Sequence, residues 1–302
     1  MRRPNIDFLG NRKIMFAVSG VLLVVAIGAL LLKGLAFGIE FQGGTAVDVL
    51  NTGDVTIEQM RDAFVKAGVK NANVQTTVVQ GTKGFIIRTD VTDPEAAAGD
   101  VEEVAKAIGV DVADFKVTTI GPDWGSNITN RSALALIVSI GVILLYISVR
   151  FEYKMSVTSV VALAHDIVIT LGIYALLGYE LTPNTIAAVL TILGYSLYDT
   201  IVVFHRIKEN SQNLAKQSFM QMANRSINEV IIRSLNTSIT SLLPVVIMLF
   251  WGGETLRDFA LALTIGLTVG MYSSIGVASP LYAMWKETEP KFAALKKKYA
   301  QA

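Results

Sequence analysis

Residues 185–204, TIAAVLTILGYSLYDTIVVF, decide how this chain is read. Roughly 20 residues of this apolarity, coiled as a helix, span the ~30 Å hydrocarbon core of a bilayer. The stretch contains a single ionisable acid, Asp199. At such depth an acid costs about 2.5–3.5 kcal/mol on insertion scales, so it needs a partner, a proton or a task. A second acid, Asp166, follows His165 inside another apolar run. Two acids in membrane-length segments point first to proton or ion traffic.

Five further runs resemble it in length: 14–32, 132–149, 156–177, 234–251 and 259–282. With 52 % hydrophobic and 17 % charged residues, the chain reads as a polytopic α-helical membrane protein of six spans. The first run follows Arg2, Arg3, Arg12 and Lys13, as in a signal peptide. It is longer than a typical signal core, and Lys33-Gly34 follows without a small-x-small cleavage pattern, so it is expected to stay as an anchor. Arg2-Arg3 lacks a twin-arginine context.

Lys and Arg set the expected orientation. They gather before span one, after span two (Arg150, Lys154), between spans four and five, and in the tail (Lys286, Lys291, Lys296 to Lys298). Of the loops on the other side, 178–184 carries none and 252–258 only Arg257. Both termini are therefore expected in the cytoplasm. The net charge of +1 conceals this asymmetry. The expected partition is 1–32 (N-terminus and first helix), 33–131 (a polar outer domain), 132–285 (a five-helix bundle) and 286–302 (a basic tail).

The outer insertion reads as an α+β module. Residues 45–50 alternate as a strand, and 56–67 form a helix opened by a Thr56–Gln59 capping box. Residues 73–80 and 85–90 read as a hairpin around 81–84. Asp93-Pro94 starts a helix through Ile108 that Gly109 closes, and 114–120 is a last strand. The order βαββαβ is that of a ferredoxin-like fold. The module holds no His or Cys and no nucleophile beside a base, so no enzyme, metal site or cofactor is expected. Its acids (Glu40, Asp48, Asp54, Glu58, Asp62) read as a solvated surface. With neither a phosphate loop nor a basic patch, nucleic-acid binding finds no support.

Inside the membrane, helical spacing puts Tyr195, Asp199, Val202 and Arg206 on one stripe of span four. In span five Arg233, Thr237, Thr240, Ser241 and Pro244 share a face, with Asn236 and Ser238 beside it. These groups are expected either to line a hydrated path or to bind helices together. His165 and Asp166, as neighbours, point roughly 100° apart and cannot both face one partner. Gly266-x-x-x-Gly270 with Ser273 and Ser274 predicts close helix packing rather than chemistry. Trp251, Tyr282 and Trp285 read as interfacial belt residues.

Five segments together resemble the SecF family of the bacterial SecD–SecF protein-export complex. They are GIEFQGGT (38–45), AHDI (164–167), GYSLYDT (194–200) continuing into VVFHR (202–206), RSLNTS (233–238), and YSSI (272–275) with ASP (278–280). The likeness covers about residues 5–285. The resemblance implies a member of the resistance–nodulation–division superfamily in the bacterial plasma (inner) membrane. Its implied partners are SecD, the SecYEG channel complex, YajC as an accessory candidate, and an unfolded polypeptide in transit. It also implies export driven by the proton-motive force without ATP, with Asp199 as proton carrier and Arg233 as its cationic partner. Tyr198 and His205 depart from the family pattern, where Asn and Asp are usual, and family behaviour is not carried over to them. Three rivals stand beside this reading. They are a self-contained proton-coupled small-molecule exporter, an intramembrane aspartyl protease and a purely structural subunit. The protease lacks a Gly-x-Gly-Asp in any later span.

Overall fold

The computed structural model describes residues 5–50, 52–69, 71–79, 82–212, 214 and 216–299. Six helices in it are long and apolar enough to cross a membrane. They are Arg12–Leu32, Asp123–Arg150, Tyr153–Leu177, Pro183–Gln212, Phe219–Trp251 and Leu256–Glu287, called spans one to six in that order. Several outrun their apolar cores, because backbone hydrogen bonding continues into water as long as the residues favour helix. Span five starts far upstream of its hydrophobic run. Ser218 caps it, accepting from the Gln221 backbone at 3.1 Å while Gln221 accepts from the Ser218 backbone at 2.9 Å.

Span six is not uniform. It is α-helical over Glu254–Ser273, opens into a π turn over Ser274–Ala278 and resumes over Ser279–Glu287. Pro280 has no N–H to give and its ring crowds the preceding turn, which a wider turn relieves. The Ser279 hydroxyl donates to the Ser274 carbonyl at 2.7 Å, beside the Ser279 backbone N–H.

The chain divides into two compact units. One comprises Phe37–Ala135 together with Leu181–Pro183. Its sheet contains β1 (Gly44–Leu50), β2 (Asn73–Val79), β3 (Thr82–Thr89) and β4 (Phe115–Ile120) in the order β2-β3-β1-β4, every pair antiparallel. Two helices, α1 (Ile57–Lys66) and α2 (Pro94–Ile108), supply the rest of its core. Alternate residues Val47, Val49, Phe85 and Ile87 point inward against Met60, Phe64, Val101 and Val104. The hairpin turn is tighter than 81–84, since β3 begins at Thr82, paired with Val79. Gln80 and Gly81 lie outside the described residues. Gly84 serves the sheet rather than the turn, since a Cβ there would stand 2.3 Å from the Val49 carbonyl oxygen. Asp48 lies across from Lys116, and burial pushes its carboxyl above the usual aspartate range against the pull of Lys116 and Arg88.

The other unit gathers the spans and both terminal segments. Its largest core packs Leu9, Phe204, Phe219, Met222, Ile227 and Tyr282 with their neighbours. The segment before span one is strapped to span five. Asn228 accepts from the Ile6 backbone N–H at 2.9 Å and donates to the Ile6 carbonyl at 2.8 Å. Asn224 does the same for the Leu9 N–H and the Ile6 carbonyl, at 3.1 Å each. Asn228→Ala is expected to cost about 1–3 kcal/mol of strap docking by orphaning part-buried backbone groups. Faster proteolysis before residue 10 in the intact protein would register that loss.

Tyr282 corrects one expectation. It is 2 % exposed, packed against Phe204 and edge-on to Phe219, and donates to Glu152 at 2.9 Å, so it belongs to the core and not to an interfacial belt. Glu289 nearby bridges Lys286 at 2.9 Å and Lys154 at 3.0 Å. Burial acts against its carboxylate, but hydrogen bonds and charge from the two lysines hold its pKa below the usual glutamate value. A depressed acid adds stability that is present above the unfolded pKa and lost as pH falls through the folded one. Hydrogen-exchange protection over Pro290–Tyr299, taken relative to the intrinsic rate at each pH, is therefore expected to fall as pH drops below the ordinary glutamate range. Glu289→Gln should remove that step.

Candidate functional site

Span four turns one face inward, and Ser196, Asp199, Thr200 and Val203 lie on it at helical spacing. Asp199 is 4 % exposed. The Ser234 hydroxyl of span five sits astride its carboxylate, 2.6 Å from Oδ1 and 2.7 Å from Oδ2. Ser274, in the π turn, meets the Thr200 hydroxyl at 2.9 Å. The acid is thus neither in dry lipid nor beside a cation. It lies in a pocket of neutral hydroxyls, an environment that suits a carboxyl able to hold or release a proton.

Arg233 is exposed and makes no ion pair among the described residues. The reason is angular: consecutive helical residues diverge by about 100°, so a span that aims Ser234 at Asp199 aims Arg233 elsewhere. Its neighbour Ser234 occupies the place beside Asp199. Asn236 and Thr240 are exposed too, and Thr237 and Ser241 are half-buried. The threonines neither bind helices together nor reach Asp199. Thr237 donates to the Arg233 carbonyl at 2.9 Å, and Thr240 to the Asn236 carbonyl at 2.8 Å, both within span five. Pro244 further along leaves one carbonyl of that helix without its usual donor.

Tyr195 is half-buried, and its hydroxyl has no partner among the described residues. Tyr198 points outward at 56 % exposure, clear of Asp199. His205 is exposed as well. Arg206 ties the ends of two spans, donating to Glu229 at 2.6 Å.

A second polar cluster surrounds Asp166, which is fully buried. Its Oδ1 lies 3.0 Å from His165 Nδ1, while Oδ2 accepts from Ser196 at 2.6 Å and from Ser273 at 2.8 Å. The two neighbours do face different companions, since the His165 ring lies beside Tyr272, yet they also bond each other. Ser273 and Ser274 therefore do more than pack, in contrast to the sequence reading. Ser273 donates to Asp166, and Ser274 meets Thr200, the neighbour of Asp199. Gly266 and Gly270 behave as small packing residues. A Cβ at Gly266 would fall 2.1 Å from Ile192 Cδ1, and one at Gly270 would fall 3.0 Å from Ser196 Cβ.

Sequence reasoning missed Ser234, Ser196 and Thr200. The last two carry a signal, at three residues before and one after Asp199 on the same face. Ser234 carries none, because its pairing depends on the rotation of a different helix. Among the described residues no three His, Asp or Glu side chains gather into a metal-sized group.

Comparison with known proteins places this geometry. Residues 100–288 match the model for the family described as protein export membrane protein SecD/SecF, C-terminal. Protein translocase subunit SecF of Streptomyces coelicolor is 40 % identical over 300 residues, covering 97 % of this chain and 80 % of that protein. The SecF of Thermodesulfovibrio yellowstonii is 37 % identical, covering 92 % of this chain and 94 % of its own. A crystal structure of SecDF from Thermus thermophilus, titled a translocon-associated membrane protein, superposes with a TM-score of 0.83 at 36 % identity. It covers 94 % of this chain, which spans only 39 % of that longer one. Six membrane-length helices, a family match over more than half the chain and near-full-length relatives agree, and this multi-pass membrane chain belongs to the SecF branch of the SecD/SecF protein-export family.

Proposed function

We propose that this chain is an auxiliary subunit of the Sec protein translocase. It uses the proton-motive force to help unfolded polypeptides leave the plasma membrane after the ATP-driven step. The observation that carries the reading is the Asp199–Ser234 pair: a buried carboxylate held by a hydroxyl, with an arginine that makes no ion pair among the described residues one residue before that serine. Desolvation favours the protonated acid and a nearby guanidinium favours the anion. Partial rotation of span five, with the reach of an arginine side chain, exchanges Ser234 for Arg233 beside Asp199. The proton is then expelled, and it is recovered when the helix turns back.

Partner and orientation follow as parts of the same proposal. Arg233, Asn236 and Thr240 face outward from a membrane-length helix, and such groups are tolerated only against protein or water. We assign that face to SecD. The fused SecDF relatives, of which this chain matches about two fifths, support the pairing. SecYEG, YajC and the passing chain complete the assembly in this proposal. The sheet order and the βαββαβ succession support a ferredoxin-like module on the outer side, with basic termini in the cytoplasm.

Asp199→Asn in the full chain, co-reconstituted with SecD and the channel, tests the reading. Export still stimulated by a proton gradient in that variant would reject it.

A further inference from the structure

The His165–Asp166 cluster is not used by that mechanism, and it is built differently from the Asp199 pocket. Asp166 Oδ2 is saturated by two hydroxyls from two other spans, Ser196 and Ser273, while Oδ1 engages His165 Nδ1. The Thr170 hydroxyl bonds the Asp166 carbonyl at 2.7 Å, which fixes the local turn. The other ring nitrogen, His165 Nε2, is sealed from solvent and has no hydrogen-bond partner among the described residues. His165 as a whole is 5 % exposed. A network that served only to hold three helices together would gain by satisfying every member, because an orphaned buried polar atom is costly. This one leaves open a ring nitrogen that accepts a proton in the Nδ1–H tautomer.

The surroundings suit that task. No Lys or Arg bonds either residue among the described residues, so the pair has no fixed counter-charge. The groups facing the pair are hydroxyls. Besides Ser196 and Ser273 there is Tyr272, whose ring lies 6.4 Å from that of His165. Tyr272 donates to the Met15 carbonyl of span one at 2.6 Å and meets Ser19 at 3.0 Å. The other titratable groups next to Ser196 along span four are Tyr195, directly before it, and Asp199, about one turn beyond. With Nδ1–H donated to an anionic Asp166, Nε2 keeps its lone pair. A proton arriving there forms an N–H bond and turns a net negative pair into a neutral imidazolium–carboxylate pair, with no other bond broken on the protein.

We propose that His165 and Asp166 form a second proton-binding site, separate from Asp199, with His165 Nε2 as the accepting atom. Its use in export rests on the reading above, but its existence does not. The chain has two histidines, so His205→Gln leaves His165 as the sole imidazole in the full-length protein. Histidine labelled with ¹⁵N then reports both ring nitrogens directly. Acidifying from about pH 9 to about pH 5 brackets ordinary imidazole titration. The expected result is conversion of the Nε2 signal from bare to protonated. Asp166→Asn is expected to leave less of the Nε2 signal protonated at the acid end of the range, through loss of the counter-charge. In Asp199→Asn the conversion should persist. A histidine signal unchanged across the range overturns the proposal, as does indifference to Asp166→Asn or disappearance in Asp199→Asn. A static His165 alongside export lost in Asp199→Asn would sink this site and leave the role of Asp199 standing.

Discussion

Asp199→Asn is expected to abolish the proton-dependent part of export while the protein still inserts and assembles. The amide keeps the shape of the acid, and its oxygen still accepts from Ser234, so the contact between spans four and five survives in part. What it loses is the ability to change charge. One elementary charge moved across ~100 mV is worth about 2.3 kcal/mol, so the bias removed corresponds to a factor of up to about 50. Export is measured as protease-protected substrate in vesicles, with and without an imposed proton gradient, and proton flux is followed by a pH dye in parallel. Ser234→Ala separates the pocket from the acid. It removes a hydroxyl but not the carboxyl, so export should weaken without vanishing. If Ser234→Ala were as inert as Asp199→Asn, the pocket would be structural scaffolding whose disruption merely unseats span five.

Gly172→Val should be the most damaging single packing change, well beyond Gly266→Ala. A Cβ at Gly172 would lie 2.4 Å from the Ala26 Cα, a backbone atom of span one that cannot swing aside. At Gly266 the first atom met is Ile192 Cδ1, the far end of a flexible side chain. Overpacking of this kind costs about 1–3 kcal/mol when neighbours can adjust and more when they cannot. In the membrane no hydrophobic effect restores the contact, since lipid tails compete equally for the apolar faces. Gly172→Val is therefore expected to release span one and lower the unfolding temperature in detergent, whereas Gly266→Ala shifts it slightly. Equal effects at the two positions would contradict the packing described.

Much of the fold is legible in residue order, because hydrophobic run length reports directly on bilayer thickness. Residues 185–204 announce a span unaided, and five other runs repeat the statement. Helix ends were less legible. Span five begins at Phe219 rather than at its apolar core, since a Ser218 cap and helix-favouring residues extend it into water. The turn before Gly84 was misplaced because glycine there answers a cross-strand approach, visible only once β1 is alongside. Tyr282 looked interfacial by type and position, and its burial follows from Phe204 and Phe219 meeting it from other helices.

The candidate site divides along the same line. An acid inside an apolar helix stands out from composition alone, because water, its usual partner, is missing there; that much of Asp199 and Asp166 belongs to the sequence. Which group answers each acid was decided by the tertiary structure. A helix places neighbours about 100° apart, so the rotation of span five selects Ser234 over Arg233, and that of span six brings Ser273 to Asp166 and Ser274 to Thr200. Those rotations depend on how six helices pack together, a property of all their faces at once and of no single stretch of residues.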